Sequence, residues 1–329
     1  MAAYLDDEEE ARRMDKQQFC YQNPHEGGQP GNIRDPFIIK TGGRYYLTAS
    51  SAPFWNGPCL GIRLWSSDNL IDWTEEAMLL SRSEIPADAW YVDRLWAPEI
   101  HETGGLFYLT FNARNEETGH KHSCGIAVAE QVTGPYRLLT PERPVIVHEE
   151  LYMDEQSTAD DRYIANDASL YTDEDGRHFL LYSNAMGIFG WEIALPVCEL
   201  IGERFNIALP STDDWDTKIE GPAMLRRGGV YYCFYSSFTR SYEIGILTAS
   251  SIKGPWTKDE RNPIIVPTGD ISHAGHNCVF TGPDDRYWIA YHIQRLEDPV
   301  ERLAYDPVDF NREGQILSNA PTTLPQHIV

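Results

Sequence analysis

The stretch DPFIIKTGGRYYLTAS (residues 35–50) introduces a pattern that the chain repeats four more times. A short apolar run follows the opening residues, and a turn then leads into a strand rich in aromatic residues. The other copies are APEIHETGGLFYLTFN (97–112), DASLYTDEDGRHFLLYS (167–183), GPAMLRRGGVYYCFYSS (221–237) and HNCVFTGPDDRYWIAYH (276–292). Their first residues are 62, 70, 54 and 55 positions apart. Repetition at such spacing predicts an array of equivalent modules.

Each copy is typical of a β-hairpin, because its turn residues favour tight reversal and its aromatic residues favour a half-buried strand. A second phrase predicts an outer strand of the same unit, and it occurs as LWSSDNLIDW (64–73), AVAEQVTGPYRLL (127–139) and LTASSIKGPWTK (247–258). Three to four strands in each of five units predict an all-β fold, a five-bladed β-propeller. A long β-sandwich is the alternative, but sandwiches do not usually repeat a hairpin phrase at this spacing.

The propeller is expected to be a single domain over residues 31–329, preceded by an N-terminal extension over residues 1–30. Helical periodicity is confined to about residues 7–18. The opening MAAYLDDEEEARRMDK lacks the apolar core of a secretory signal. We therefore expect a cytoplasmic protein, or one from which a leader has been removed.

The composition of the chain excludes several classes of binding partner. The formal net charge is −23, which argues against nucleic acid, anionic membranes and polyanionic glycans and favours a neutral ligand. No window approaches the roughly 20 apolar residues of a membrane helix. None of the six cysteines pairs at metal-ligand spacing, so we expect free thiols in a reducing compartment.

Propeller geometry predicts a shared site. The innermost strands of all blades lie beside one axis, so equivalent positions at their starts converge on one end of it. Asp35, Asp167, Glu220 and His276 occupy those positions. Asp35 and Asp167 are each also typical of turns. Their common phase in the repeat favours a functional site, because independent turn formers have no reason to share it.

Three carboxyls fit the cleavage of a glycosidic bond. One acid protonates the leaving oxygen, and a second carboxylate activates water or attacks the sugar. A third negative charge raises the pKa of the acid and keeps it protonated near neutral pH. Asp35, Asp167 and Glu220 provide the required number and kind of groups.

Three further residues are candidates for binding. His276 is either a hydrogen-bonded core residue or a ligand near a bound cation. Calcium fits better than zinc, because oxygen ligands abound and no second His or Cys lies at ligand spacing. Trp96 precedes the second phase position, and Trp55 follows the first aromatic strand. Both are candidates for stacking on a sugar ring, with an ordinary packing role as the alternative for Trp96.

The chain resembles glycoside hydrolase family 43 over residues 32–325. The phrases that carry the resemblance are RDPFIIKTGGRYYL, WAPEIHETGGLFYLTF, NDASLYTDEDGRHFLLYS, EGPAMLRRGGVYYCFYS and GHNCVFTGPDDRYWIAYH, followed by a similar closing segment, ERLAYDPVDFNREGQILSNAPTT. The resemblance implies a five-bladed propeller and hydrolysis with inversion, for which the two carboxyls lie roughly 6.5–9.5 Å apart. The extra β-sandwich that some xylosidases of the family append has no counterpart in this sequence.

The resemblance also implies residue roles. Asp35 matches the general base, Glu220 the general acid, and Asp167 the residue that orients the acid and tunes its pKa. His276 matches an axial histidine beside a calcium or sodium ion. Arg302 matches a late arginine that contacts the sugar, although Arg295 lies near the same place. One departure is Ala at position 168, where proline is commoner in the family.

The function expected is an exo-acting glycosidase that releases xylose or L-arabinofuranose from neutral hemicellulose oligosaccharides. An endo-arabinanase is the alternative, and it requires an open groove. Long loops over residues 51–63, 81–95, 113–123 and 141–165 favour walls, and therefore a pocket. A non-catalytic sugar-binding propeller is a further alternative, but a lectin has no need of a general acid. The sequence leaves the oligomeric state open.

Overall fold

The computed structural model describes residues 19–26, 30–57, 59–115, 117–118, 120–146, 165–184 and 187–328. These residues form five four-stranded antiparallel sheets and one two-stranded sheet. In each four-stranded sheet the strands follow chain order from the axis outward. The predicted five-bladed propeller is therefore confirmed, with four strands in every blade.

Each blade is one continuous segment of chain. Blade 1 contains β2 (Ile33–Thr41), β3 (Arg44–Ser51), β4 (Gly61–Ser67) and β5 (Thr74–Ser81). Blade 2 contains β6 (Asp93–Thr103), β7 (Leu106–Asn115), β8 (His120–Ala129) and β9 (Arg137–Leu138). Blade 3 contains β10 (Asn166–Thr172), β11 (His178–Ser183), β12 (Ile188–Ala194) and β13 (Glu199–Ala208). Blade 4 contains β14 (Ile219–Arg227), β15 (Val230–Ser237), β16 (Glu243–Ala249) and β17 (Thr257–Lys258). Blade 5 contains β18 (Ile271–Thr281), β19 (Tyr287–Arg295), β20 (Asp298–Phe310) and β21 (Ile316–Leu317).

The innermost strands are β2, β6, β10, β14 and β18, and each contacts the innermost strand of the next blade. The last of them, β18, returns to contact β2, which closes the ring. A 3₁₀ turn over Arg82–Glu84 follows blade 1. Among the described residues, no helix has the length and apolar character that crossing a membrane requires.

The second sequence phrase spans the end of the third strand and the following turn in each of its three copies. The predicted outer strand lies within the phrase in blades 2 and 4, where residues 127–139 contain β9 and residues 247–258 contain β17, whereas in blade 1 the phrase stops just before the fourth strand. Residues 64–73, for example, begin within β4 and end at Trp73, just before β5. Trp73 is buried, and its indole Nε1 donates to the Leu70 carbonyl within the turn. The aromatic residue of the phrase therefore anchors the turn.

A β-bulge interrupts every innermost strand at the repeat's phase position. The pairing register shifts between Arg34 and Phe37 in blade 1, and at the corresponding point of the other four blades. A bulge redirects side chains because two residues then oppose one partner. It also places Asp35 and Asp167 in the left-handed region, with φ of 53° and 57°.

The core lies between blades and is built from aliphatic and aromatic strand residues. One cluster joins blades 1 and 5 through Ile33, Leu47, Trp65 and Trp288, all at most 1% exposed. The described cysteines form no disulfide with one another, and only Cys20 is exposed. The remaining cysteines act as small apolar residues, as predicted for Cys233 and Cys278.

The two termini of the described chain meet. Strand β1 (Phe19–Tyr21) pairs with β22 (Gln326–Ile328) outside the five blades. Buried Asp306 on β20 accepts hydrogen bonds from the hydroxyls of Tyr21 (3.2 Å) and Tyr291 (2.5 Å) and from Asn23 Nδ2 (3.1 Å). The described part of the predicted N-terminal extension therefore packs against blade 5, whereas the helical periodicity over residues 7–18 lies outside the described residues.

The two ends of the propeller axis differ in what lines them. The strand starts form one end, here called the acid mouth, with Asp35, Asp167, Glu220 and His276. The strand ends form the other, here called the opposite mouth, a cavity of about 610 Å³. Its lining is mixed. The apolar part includes Phe37, Ile39, Ile100, Tyr171, Met224 and Val279, and the polar part includes Lys40, His101, Glu102, Ser169, Thr172, Thr281 and Asp285.

Candidate active site

The structure brings all four phase residues of the sequence analysis together at the acid mouth. Asp167, Glu220 and His276 each have one polar side-chain atom within 4.8 Å of the others. His276 Nδ1 lies 3.8 Å from Asp35 Oδ1 and 3.9 Å from Asp167 Oδ2. Residues separated by up to 241 positions are therefore neighbours, as the propeller geometry predicts.

Asp35 is held from several sides. Ser50 Oγ donates to its Oδ2 at 2.6 Å, and Arg34 Nε lies 3.5 Å from its Oδ1. Its backbone N–H donates to His292 Nδ1 at 3.2 Å. His292 Nδ1 is therefore an acceptor, so a neutral His292 carries its proton on Nε2. The bond to His292 fixes the backbone of Asp35, while Ser50 and Arg34 orient its carboxylate and favour the ionised form.

The pKa of Asp35 is lowered although burial alone would raise it. The Arg34 guanidinium is the largest opposing influence, followed by His276, His292 and the hydrogen bond from Ser50. These groups favour the charged form. Asp35 is therefore ionised at neutral pH, as a general base must be.

Asp167 is buried and accepts three hydrogen bonds. Asn112 Nδ2 donates to Oδ1 at 3.1 Å, while the Gly221 N–H and Ser183 Oγ donate to Oδ2 at 3.0 and 3.4 Å. Burial raises its pKa, and His276 opposes the rise. The bond from Gly221, the residue after Glu220, ties the backbone of the predicted acid to Asp167.

Glu220 has the properties of a carboxyl kept protonated. Burial and the nearby charge of Asp167 raise its pKa to about 7, against smaller opposing effects of Tyr242, His276 and Arg34. Its Oε1 accepts a hydrogen bond from the Tyr242 hydroxyl at 2.5 Å. A carboxyl whose pKa is near the working pH can both donate and recover a proton.

His276 sits between the carboxyls and is almost fully buried. Burial lowers the pKa of its ring, but Asp167, Asp35 and Glu220 outweigh burial and raise it. The ring packs against Gly221, whose φ is 65° and where an added Cβ would lie 3.0 Å from the ring. Glycine is thus required beside Glu220 for two reasons, the backbone conformation and the space.

A closed set of hydrogen bonds, here called the interblade belt, connects every blade to the next around the acid mouth. In all five junctions a residue at or directly after the phase position of one blade donates to a residue near the axis in the preceding blade. The five bonds are Ala97 N–H to Ser50 Oγ (2.8 Å), Ala168 N–H to Asn112 Oδ1 (3.5 Å), Gly221 N–H to Asp167 Oδ2 (3.0 Å), Asn277 Nδ2 to Ser236 Oγ (3.4 Å) and Asp35 N–H to His292 Nδ1 (3.2 Å).

The two tryptophans predicted to bind sugar lie on one wall of the site. The Trp55 ring centroid is 5.0 Å from the Arg34 guanidinium and 5.0 Å from the Trp96 ring. Trp55 is 59% exposed. Arg94 donates to the carbonyl of Trp55 at 2.5 Å and so holds this loop. An exposed aromatic face beside the base is suited to stacking on a sugar ring.

Arg302 has its contacts along its own strand. Its Nη2 lies 2.8 Å from Asp298 Oδ2, and its Nη1 donates to the Val300 carbonyl at 3.2 Å. The arginine that contacts the base is Arg34, and Glu301 Oε2 lies 3.8 Å from Arg34 Nε. The sugar-contacting role of Arg302 stays a prediction. Arg295, the other late arginine, pairs with Asp270 and Glu26.

Sequence reasoning missed several residues of the site. Ser50, Asn112, Ser183 and His292 are the final residues of four repeat phrases, and a polar residue at that fixed position was a usable signal. Arg34 adjoins Asp35 and was visible in the motif. Tyr242, in contrast, lies between β15 and β16 outside any repeat phrase, and only the folded chain shows its position.

The long loops expected to form walls are only partly described. The Trp55 loop belongs to residues 51–63 and does stand beside the site. Of residues 141–165, the part over 147–164 lies outside the described residues.

The donor set at the acid mouth fits a hard cation held mostly through water. Calcium takes roughly six to eight oxygen ligands. Asp167, Glu220 and His276 offer few free protein ligands, since both carboxyls already accept hydrogen bonds. Water would therefore have to provide most of the coordination.

Paired carboxyls with opposite pKa shifts at one end of a five-bladed propeller are typical of enzymes that hydrolyse by acid–base chemistry. Residues 29–316 match the family described as glycosyl hydrolases family 43. The chain belongs to this family, and it is a glycoside hydrolase by that membership.

Known relatives agree with this assignment. The chain is 28% identical over 267 residues to the beta-D-galactofuranosidase xynD of Aspergillus niger, covering 77% of this chain and 72% of the relative. It is 25% identical to xylosidase/arabinosidase 43B of Humicola insolens, covering 80% of this chain but only 47% of the relative. The chain thus spans about half the length of that relative.

Solved structures show the same fold. A structure described as a thermostable family-43 glycoside hydrolase superimposes with a TM-score of 0.76 and 29% identity, covering 93% of this chain and 98% of that one. Further relatives are named as exo-acting arabinofuranosidases and as endo-acting arabinanases.

Proposed function

We propose that this protein hydrolyses glycosidic bonds with inversion, with Asp35 as general base, Glu220 as general acid and Asp167 as the residue that tunes and orients the acid. The opposite pKa shifts of Asp35 and Glu220 are the observation that carries this proposal. Two carboxyls whose environments drive their pKa values apart are suited to the roles of base and acid.

The reaction follows from these protonation states. Asp35 removes a proton from water as that water attacks the anomeric carbon. The bond from that carbon to the glycosidic oxygen breaks, and the oxygen takes the bonding electrons and the proton of Glu220. The two carboxyls do not contact each other directly but are linked through Arg34 and the Tyr242 hydroxyl, and an inverting reaction needs roughly 6.5–9.5 Å between them for the water.

The substrates proposed are neutral hemicellulose oligosaccharides, from which the enzyme releases terminal xylose or L-arabinofuranose. Three observations support this: the net charge of −23, the aromatic wall of Trp55 and Trp96, and the names of the xylosidase and arabinofuranosidase relatives. An endo-arabinanase is the second candidate, favoured by relatives of that name.

A panel of nitrophenyl glycosides tests the proposal. It contains the β-D-xyloside, the α-L-arabinofuranoside and, because of the Aspergillus relative, the β-D-galactofuranoside. We expect turnover of the xyloside or the arabinofuranoside, with a product of inverted configuration by NMR. Fragments of intermediate size from debranched arabinan would favour the endo-acting alternative. Binding of sugar without turnover of any glycoside would favour a lectin.

We further propose that a calcium ion binds near His276 through water. The proximity of His276 to Asp167 and Glu220 supports this proposal. Calcium added to chelator-treated protein should raise the melting temperature, and the increase should be smaller in the His276→Gln variant. An unchanged melting temperature at millimolar calcium would contradict the proposal.

A further inference from the structure

The Tyr242 hydroxyl connects two residues of the acid mouth. It lies 2.5 Å from Glu220 Oε1 and 2.8 Å from Arg34 Nη2. Arg34 in turn contacts Asp35. A chain of three contacts therefore leads from the base to the acid, and Tyr242 is the member of that chain that contacts the acid directly.

The direction of these hydrogen bonds is fixed by chemistry. The Arg34 guanidinium can only donate, so the Tyr242 oxygen accepts at that contact. The single hydrogen of the Tyr242 hydroxyl is then directed at Glu220 Oε1. The carbonyl oxygen of a protonated carboxyl is its stronger acceptor, so this hydrogen bond favours Oε1 as the carbonyl oxygen and Oε2 as the oxygen that carries the proton.

The Tyr242 ring is well held. It packs edge-on against His292, with ring centroids 5.1 Å apart, and against Phe238 at 6.2 Å. Gly275 leaves the space that the ring occupies, since an added Cβ there would lie 2.8 Å from Tyr242 Cδ1. The hydroxyl is thus positioned by packing rather than by its two hydrogen bonds alone.

We propose that Tyr242 is a positioning residue that keeps the proton of Glu220 on Oε2, facing the glycosidic oxygen. This inference deepens the proposed function and rests on it. When the proton leaves Oε2 for the departing oxygen, Glu220 becomes a carboxylate. The Tyr242 hydroxyl still donates to Oε1 and stabilises this new charge, and Arg34 polarises the hydroxyl from its other side.

Leaving-group dependence distinguishes this role from a structural one. Protonation matters most for a poor leaving group such as a sugar, and least for dinitrophenolate, which departs without it. The Tyr242→Phe variant should lose roughly 10- to 100-fold in kcat on an unactivated disaccharide, a part of the range for a complete general acid. Its kcat on the dinitrophenyl glycoside should stay within about threefold of the wild type.

Tyr232→Phe is the matched control. It removes the same hydroxyl from β15, where the oxygen donates to the Gly314 carbonyl at 2.8 Å. Its kcat should be unchanged for both substrates. Gly275→Ala, which intrudes on the Tyr242 ring, should reproduce the leaving-group dependence of Tyr242→Phe and provides the test if Tyr242→Phe does not fold.

Equal losses on both substrates, or no loss on either, would overturn the positioning role while leaving the hydrolase proposal intact. Absence of turnover by the wild-type protein on any glycoside of the panel would overturn both. In the Glu220→Gln background, removal of the Tyr242 hydroxyl should have no further effect on the disaccharide, because the proton that it positions is gone.

Discussion

The acid mouth and the opposite mouth are built from the same five strands, yet their chemistry differs. The acid mouth gathers a buried carboxyl, two partly buried carboxyls and a buried histidine, whereas the opposite mouth combines apolar side chains such as Phe37, Ile100 and Val279 with polar ones. The bulge in each innermost strand separates the two. On the acid-mouth side of the bulge, the interblade belt connects all five blades. On the other side, apolar side chains pack around the axis beside fewer bonds between blades, such as Leu170 N–H to His101 Nε2.

This difference predicts that residues of the acid mouth determine mainly the activity and residues of the opposite mouth mainly the stability. Polar groups in the acid mouth are oriented by partners from neighbouring blades, as with Asp167 and its donor Asn112. Changes there should affect the reaction. Changes in the opposite mouth should affect the free energy of unfolding and leave the chemistry of each folded molecule unchanged.

The largest expected effect is the difference in kcat between two variants, each of which changes one carboxyl to an amide at a different mouth. Glu220→Gln removes the acidic proton and should lower kcat on a disaccharide by roughly 10²- to 10⁴-fold. Glu102 is an exposed residue of the opposite mouth, and the matched variant Glu102→Gln should retain full activity. Steady-state kinetics on both variants, with circular dichroism to confirm folding, measures the contrast. Equal activities would remove the distinction between the mouths.

A cavity in the opposite mouth should produce the reverse pattern. Ile100 is 1% exposed, so Ile100→Ala should lower the free energy of unfolding by about 2–4 kcal/mol. Urea denaturation measures this loss, and kcat per folded molecule should not change. Ile100→Val is the control and should cost about 0.5–1.5 kcal/mol. A large drop in kcat at full folding would show that the two mouths are coupled.

The pH dependence of kcat/KM tests the protonation states proposed for the acid mouth. The proposed reaction requires ionised Asp35 and protonated Glu220, so kcat/KM should fall as the pH rises through about 7, where Glu220 loses its proton. Asp167→Asn removes a negative charge that raises the pKa of Glu220. The alkaline limb should therefore move to lower pH in this variant. A limb that stays in place would show that Asp167 does not tune the acid.

The smallest effect is expected at the rim. Trp55 is 59% exposed, so its removal should hardly change the melting temperature. Trp55→Ala should raise KM for oligosaccharides roughly three- to tenfold, in line with the loss of ~1 kcal/mol of binding. Val197→Ala is the control, because Val197 is an apolar residue of blade 3 that is also largely exposed. An unchanged KM would place the sugar away from this wall.

Much of this architecture could be predicted because the repeat is explicit in the sequence. Five copies in phase predict both the propeller and the convergence of Asp35, Asp167 and Glu220, since closure places equivalent positions on one axis. The interblade belt was harder to predict from the sequence, although two of its members, Ser50 and Asn112, are polar residues at the ends of their repeat phrases. The sequence alone does not show whether the side chain of such a residue bonds to the next blade or to its own blade.

Two features depend on the folded chain. Tyr242 reaches Glu220 from a connection that obeys no repeat, so spacing gave no reason to select it. Whether Arg302 lies beside the candidate active site depends on the register of β20. Side chains alternate along this strand, and Glu301 rather than Arg302 faces Arg34. A shift of one residue reverses such an assignment.

The left-handed backbone at Asp35 and Asp167 limits what can replace these residues. Among non-glycine residues, asparagine and aspartate tolerate this conformation best, so alanine there adds backbone strain to the loss of the carboxyl. Asparagine keeps the conformation and nearly the shape while ending the acid–base chemistry. The fold therefore lies one amide away from a sugar-binding protein without activity, a short route for evolution or for an engineer who wants a lectin on this scaffold.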